Sequence, residues 1–133
     1  MRLAVALLTV VALAFAAPAA ADAPMEFPIH DVFTDVNPCT GNVVTVTFVG
    51  TAFVHSHDSR EVVTAERTIT TSDQFVGRGT DTFVDNGQIL IFRLSDMVAS
   101  PSGDRFRVRT LFVLDLKTET VRVDRFDMTC LST

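Results

Sequence analysis

From Asp22 onward the chain alternates apolar and polar positions with period two, and β-branched residues and phenylalanine dominate the apolar ones. That period sends successive side chains to opposite faces of an extended backbone, so it predicts strands rather than helices. Residues 27–36 make the first strand, with Pro28 suited to an edge or entry strand. Residues 37–42 form a turn, because Pro38 fixes φ and Gly41 permits φ > 0. Strand 43–54 follows, with Val44, Val46, Phe48, Ala52 and Val54 on one face and Thr45, Thr47 and Thr51 on the other. Gly50 in its middle suggests a bulge or a sharp bend.

After a turn at 57–60, strand 61–71 and a turn at 72–74 lead into strand 75–84. Gly77 and Gly79 share one face of it, as happens where a sheet coils hard on itself to close. Asp85-Asn86-Gly87 specifies a type I′ hairpin into strand 88–97. Loop 100–104 opens strand 105–116, whose Phe106, Val108, Phe112 and Leu114 share a side. A turn at 117–119 leads into strand 120–128. About seven strands joined by short loops predict an all-β domain. The expected form is an antiparallel meander closing into a small calycin-like barrel, with a β-sandwich as the alternative. Closure is favoured because it removes exposed edges.

The N-terminus departs from this pattern. Arg2 precedes an apolar run over 3–17, then Pro18 and the small residues Ala19, Ala20 and Ala21. This is the layout of a cleavable secretory leader over 1–21, cut after Ala21. The apolar run of about 15 residues is shorter than the roughly 20 that span a bilayer, so no retained membrane span is expected. What remains, 22–133, has the size of one domain. In an oxidising compartment Cys39 and Cys130 are expected to form a disulfide joining the two ends of that domain. The formal net charge of −5, with no basic tail, removes the electrostatic footing for nucleic acid or anionic lipid.

Asn37-Pro38-Cys39-Thr40-Gly41, the Val/Thr-rich strand to Gly50-Thr51-Ala52, Gly77-Arg78-Gly79 and the terminal Phe126-x-x-x-Cys130 resemble a group of small exported bacterial proteins, common in actinobacteria. The chain departs from that group at Asn42, where a Glu is usual, and at Phe83, where Tyr is usual. The resemblance implies an exported, disulfide-closed, barrel-like domain and brings no activity with it.

Among residues that can carry chemistry, His55 and His57 lie two apart on a strand and so share a face, which suits a metal. Glu61 follows and His30 supplies a third nitrogen. The reading beside it is a wet face running into a turn. Arg105, Arg107 and Arg109 alternate along one strand, forming either an anion-holding stripe or a charge-paired exterior with Asp124 and Asp127 as partners. Ser56 has no triad spacing, and no GxSxG is present. The absence of Trp and Tyr weakens a lectin-like role. The phenylalanines read as core, or as the lining of an apolar ligand pocket in a wide barrel. The expectation is therefore a non-enzymatic exported domain without a cofactor, binding a small apolar ligand or a partner protein. A metal-binding barrel or metal-dependent enzyme using His55 and His57, and a structural protein of the cell envelope, are the alternatives.

Overall fold

The computed structural model describes residues 23–131; the leader expected over 1–21 lies outside them. Seven strands follow one another: β1 (Met25–Val36), β2 (Val43–His57), β3 (Arg60–Thr71), β4 (Val76–Asp85), β5 (Ile89–Ala99), β6 (Arg105–Asp115) and β7 (Thr120–Cys130). They form one antiparallel sheet in sequence order, as the alternation and short loops predicted. Each strand starts and stops within a few residues of its expected limits, because the turn residues sit where the pattern breaks. Among the described residues no helix is long and apolar enough to cross a membrane.

The sheet is not closed into a barrel, since β1 and β7 share no ladder. The strand number explains this in part. In an up-and-down meander β1 and β7 run in the same direction, so neither offers the other the antiparallel edge that joins every other pair. The curled sheet is instead joined at one end by a disulfide, as expected from the cysteines. Cys39 in the β1–β2 loop bonds Cys130 at the end of β7, with the Cα atoms 4.9 Å apart. Leu131 N donates to Arg105 O beside it.

One face of the sheet makes the core. Paired residues share a face, so the register carries single rows across the strands, such as Ala52–Ala65–Asp81–Leu94 and Phe48–Ile69–Gly77–Val98–Phe106. Buried apolar side chains on this face include Val46, Phe48, Val63, Ile69, Phe83, Phe92, Leu94, Val98 and Val108. Phe27, Ile29 and Phe33 from β1 and Met128 from β7 pack against them. The Phe33 ring meets the Phe48 ring edge-on at 5.0 Å.

The glycines produce the coil, although not as a bulge. The register runs unbroken through Gly50, which opposes Ile29 and Arg67, and the irregularity lies between Val113 and Leu114. A Cβ at Gly50 would lie 2.6 Å from the Arg67 Cα, and one at Gly77 would lie 2.6 Å from the Val98 Cα. Neighbouring backbones therefore approach closer than any side chain permits. Gly77→Ala is expected to force β4 and β5 apart and cost about 2 kcal/mol, at the level of other overpacking changes. Urea denaturation of the variant measures it, and unchanged stability would refute the close approach.

The β4–β5 connection differs from the expected type I′ turn. Of its two turn residues only Gly87 has a positive φ, +80°, whereas type I′ needs both. Asn86 uses its side chain instead, its Oδ1 accepting from Gln88 N at 3.0 Å and Ile89 N at 2.8 Å. Asp85 Oδ1 accepts from Gly87 N at 2.7 Å. These Asx bonds hold a three-residue loop, so the hairpin is correct and its turn type is not.

The Asn-Pro-Cys segment acts as a structural clasp. Asn37 is 1 % exposed and uses every polar group it has. Its Nδ2 donates to Asp73 Oδ2 at 2.8 Å, its Oδ1 accepts from Cys39 N at 2.8 Å, and its backbone bonds Asn42 O and Gly41 N. Thr71 Oγ1 donates to the same Asp73 and accepts from Phe75 N. The β1–β2 and β3–β4 loops are thereby locked together, and Cys39 is held where Cys130 can reach it.

Candidate functional site

The interior holds a charge cluster that the alternation reading passed over. Arg67 stands in the middle of β3 on the core face, between Gly50 on β2 and Gly79 on β4. Its side chain is 1 % exposed and forms ion pairs with Asp81 of β4 and Asp96 of β5. Its guanidinium carbon lies 4.5 Å from the Phe48 ring centroid, a cation–π contact in a dry setting. Gly79 makes the arrangement possible, because a Cβ there would meet the Asp96 carboxylate and lie 3.0 Å from Arg67 Nη2. Arg67 Nε and Asp81 Oδ1 have no hydrogen-bond partner among the described residues.

One cation facing two carboxylates leaves an unbalanced negative charge in a low-dielectric interior. Burial accordingly pushes the Asp96 carboxyl up to about 7, a rise that the Arg67 charge opposes and the Asp81 charge assists. Asp81 is raised as well, by burial, with Arg67 holding it back. The cluster is therefore disposed to keep one proton near neutral pH. Beside it lies a partly open space of about 40 Å³, lined in part by Asp96, Phe33, Phe48, Phe106, Val108 and Met128. That suits a water or two and falls far below the roughly 300 Å³ at which ligand pockets begin.

The opposite face has different chemistry. On β4–β7 it carries Arg78, Arg93, Arg105, Arg107, Arg109 and Arg125, by the register that aligns Arg93 with Leu111 and Arg125 and aligns Ser95 with Arg109 and Asp127. These are more than half of the 11 basic residues of an acidic chain. The acids on that face are already engaged. Asp115 pairs with Arg122, and its carboxyl is held below the usual range first by the Thr118 amide and then by Arg122. Asp127 pairs with Arg107 at 3.4 Å and is held low first by the Thr129 hydroxyl and then by Arg107 and Arg109. Asp124, expected as a second partner, opposes Phe112 and so faces the core side. Among the described residues Arg78, Arg93, Arg105, Arg109 and Arg125 enter no ion pair. An open groove of about 800 Å³ crosses β4–β7 here, lined among others by Thr80, Thr82, Arg93, Ser95, Arg109 and Arg125.

His30 is placed apart from the other two histidines. His55 and His57 share the outer face at the end of β2, exposed to solvent, and His57 Nδ1 lies 3.1 Å from its neighbour Asp58. Glu61 opposes Ser56 and therefore faces the core side, where burial and the nearby Asp85 charge raise its carboxyl. His30 opposes Val49, well up the strand from His55. Among the described residues no three His, Cys, Asp or Glu side chains gather as a metal site. Cys39 and Cys130 are both in the disulfide.

No protein-family model, no curated protein and no solved structure matches this chain.

Proposed function

We propose that the chain is an extracytoplasmic, non-enzymatic binding domain, a barrel-like scaffold that engages an anionic partner through the outer face of β4–β7. The observation carrying this reading is the unpaired arginine face on a chain of net charge −5. Charges of one sign that find no partner within the molecule are complementary to a ligand of the other sign. The space of about 40 Å³ beside Asp96 is smaller than an apolar ligand needs, which adds support to recognition at the surface. The disulfide is compatible with the extracytoplasmic location.

A sulfonated cation-exchange resin tests this directly. At pH 7.5 and low ionic strength a uniformly charged protein of pI ≈ 5.0 passes through, whereas this one is expected to be retained by its arginine face. Elution is expected by about 0.2 M salt, where the Debye length falls below roughly 8 Å. Arg93→Ser/Arg109→Ser/Arg125→Ser is expected to flow through, and Arg60→Ser/Lys117→Ser, which removes charge elsewhere, to be retained. Flow-through of the unmodified protein would end the reading.

A further inference from the structure

We propose that the free edge of β7 is an interface at which two copies of this chain pair antiparallel about a two-fold axis at Phe126, so that Arg125 of each copy faces Asp127 of the other. The inference goes beyond the anionic-partner reading and does not depend on it.

Among the described residues β1 and β7 are the two edges of the sheet, and the phase of the hydrogen bonds decides what each presents. In an antiparallel ladder alternate residues bond the neighbouring strand, and those between them turn N–H and C=O away from it. Asn37 N donates to Asn42 O, which continues the β1–β2 register. Odd-numbered residues of β1 therefore bond β2, and even-numbered ones face the free edge. Two of these are blocked. Pro28 has no N–H to offer there, and Val36 N is taken by Asp35 Oδ1 at 2.8 Å. Such devices keep an edge from pairing.

The β7 edge is not blocked in this way. Leu131 N donates to Arg105 O, which continues the β6–β7 register. Arg125, Asp127 and Thr129 therefore bond β6, and Asp124, Phe126 and Met128 turn their backbone groups to the free edge. No proline or glycine interrupts residues 123–128. Phe126 opposes Thr110 and Val121 opposes Leu114, so both stand on the core face. They are nevertheless 60 % and 49 % exposed, since β7 has no strand on its other side. An open backbone edge beside exposed core-face side chains is completed by one more strand.

Charge selects a second copy as that strand and fixes its register. Outward backbone groups meet on both sides only when even-numbered residues face even-numbered ones, which also keeps core face with core face. Centring the axis on Asp124, Arg125 or Asp127 sets that charge against its own equivalent, which is unfavourable. Centring on Met128 pairs no charges. Centring on Phe126 sets Arg125 opposite Asp127 twice, with Phe126 against Phe126 and Asp124 against Met128. Asp124, Phe126 and Met128 then exchange about six backbone hydrogen bonds, and the Arg125–Asp127 pairs fall at the intervening positions, where side chains stand closest. Within its own copy Arg125 enters no ion pair among the described residues. A contact of residue i with j that repeats as j with i is the self-complementary form of a closed two-fold dimer. Arg78, Arg93, Arg105 and Arg109 stay on the outer face.

Sedimentation of the purified protein, disulfide intact, is expected to show a monomer–dimer equilibrium with a dissociation constant on the order of 10 µM, as suits a small edge interface. Arg125→Glu sets a glutamate against Asp127, and Asp127→Lys sets a lysine against Arg125. Each is expected to weaken dimerisation by roughly tenfold or more. Mixed in equal amounts, the two variants are expected to associate within about threefold of the unmodified protein, because each altered charge then meets its opposite. Recovery on mixing also shows that both fold. Phe126→Ala should weaken the dimer about tenfold. Amide hydrogen exchange is expected to slow at Asp124, Phe126 and Met128 as concentration rises, and to stay unchanged at His30, Val32 and Thr34. A monomer at every concentration, or a dimer indifferent to both charge variants, would overturn the proposal. So would variants that stay apart on mixing, or protection gained along β1. Protection of Asp124, Phe126 and Met128 at every concentration would show the edge covered within one chain, and would overturn it equally.

Discussion

Replacing Arg67 with methionine is expected to cost the domain about 3–5 kcal/mol at pH 8, a large share of the roughly 5–15 kcal/mol that holds small domains folded. Methionine fills much of the volume but leaves Asp81 and Asp96 facing each other, buried and without a cation. The same cluster sets a pH dependence in the unmodified protein. The folded Asp96 carboxyl, at about 7, lies above its unfolded value, so the folded state binds more protons than the unfolded chain. Stability from this group is full below about pH 4, falls through the interval up to about 7, and stays level above it, a change on the order of 4 kcal/mol. Asp81, raised by the same burial, acts in the same sense. The lowered Asp115 and Asp127 act oppositely and in another window, losing their contribution only as pH falls below the ordinary carboxylate range. Urea denaturation at pH 5 and pH 8 should therefore find the protein more stable at pH 5. Asp96→Asn keeps the shape of the protonated carboxyl and should flatten that difference. An unchanged slope in the Asn variant would show that the cluster does not carry it.

Reduction of the disulfide is expected to cost about as much. Cys39 and Cys130 are separated by 91 residues, and a closed loop of that length corresponds to roughly 4–5 kcal/mol in the chain-entropy model. The enthalpic part is local to the β1–β2 loop, whose other anchor is Asn37. Cys39→Ser/Cys130→Ser is expected to keep the same sheet by circular dichroism and to lose that stability in urea. It is also expected to expose Phe33 and Met128, which line the space beside Asp96 from the first and last strands. A double serine variant as stable as the unmodified protein would show that the sheet holds its curl unaided.

Two features carry most of the legible information about the fold. Alternation from Val43 to Val54 placed Val44, Val46, Phe48, Ala52 and Val54 together, and all five are buried. Strand limits followed because Pro38, Gly41, Gly87 and Gly103 interrupt the pattern at the loops. The glycine pair at 77 and 79 indicated hard coiling, but not why. Gly77 admits a neighbouring backbone and Gly79 an ion pair, two reasons that look alike in a string of letters.

The site was less legible. The stripe Arg105, Arg107 and Arg109 was visible, yet its reading as charge-paired holds only for Arg107. Arg93 and Arg125 join the groove from strands 16 residues to either side of Arg109, and only the register brings them level with Leu111. Arg67, Asp81 and Asp96 did leave a signal, each occupying an apolar-phase position: Ala65-x-Arg67-x-Ile69, Asp81-x-Phe83 and Leu94-x-Asp96-x-Val98. Three charges in the core phase of three strands are tolerable only if they meet, since each alone costs several kcal/mol.

What the chain determines by itself is local: strands where side chains alternate, turns where proline, asparagine and glycine interrupt them, and one face that is mainly apolar. Tertiary structure decided everything that depends on pairing across strands. It decided whether the meander closes, which arginines stand alone, and which carboxylate keeps a proton. The physical reason is that alternation is a property of one backbone, whereas neutralisation, closure and the crowding at Gly77 and Gly79 are properties of neighbours far apart in sequence. Register sets those neighbours.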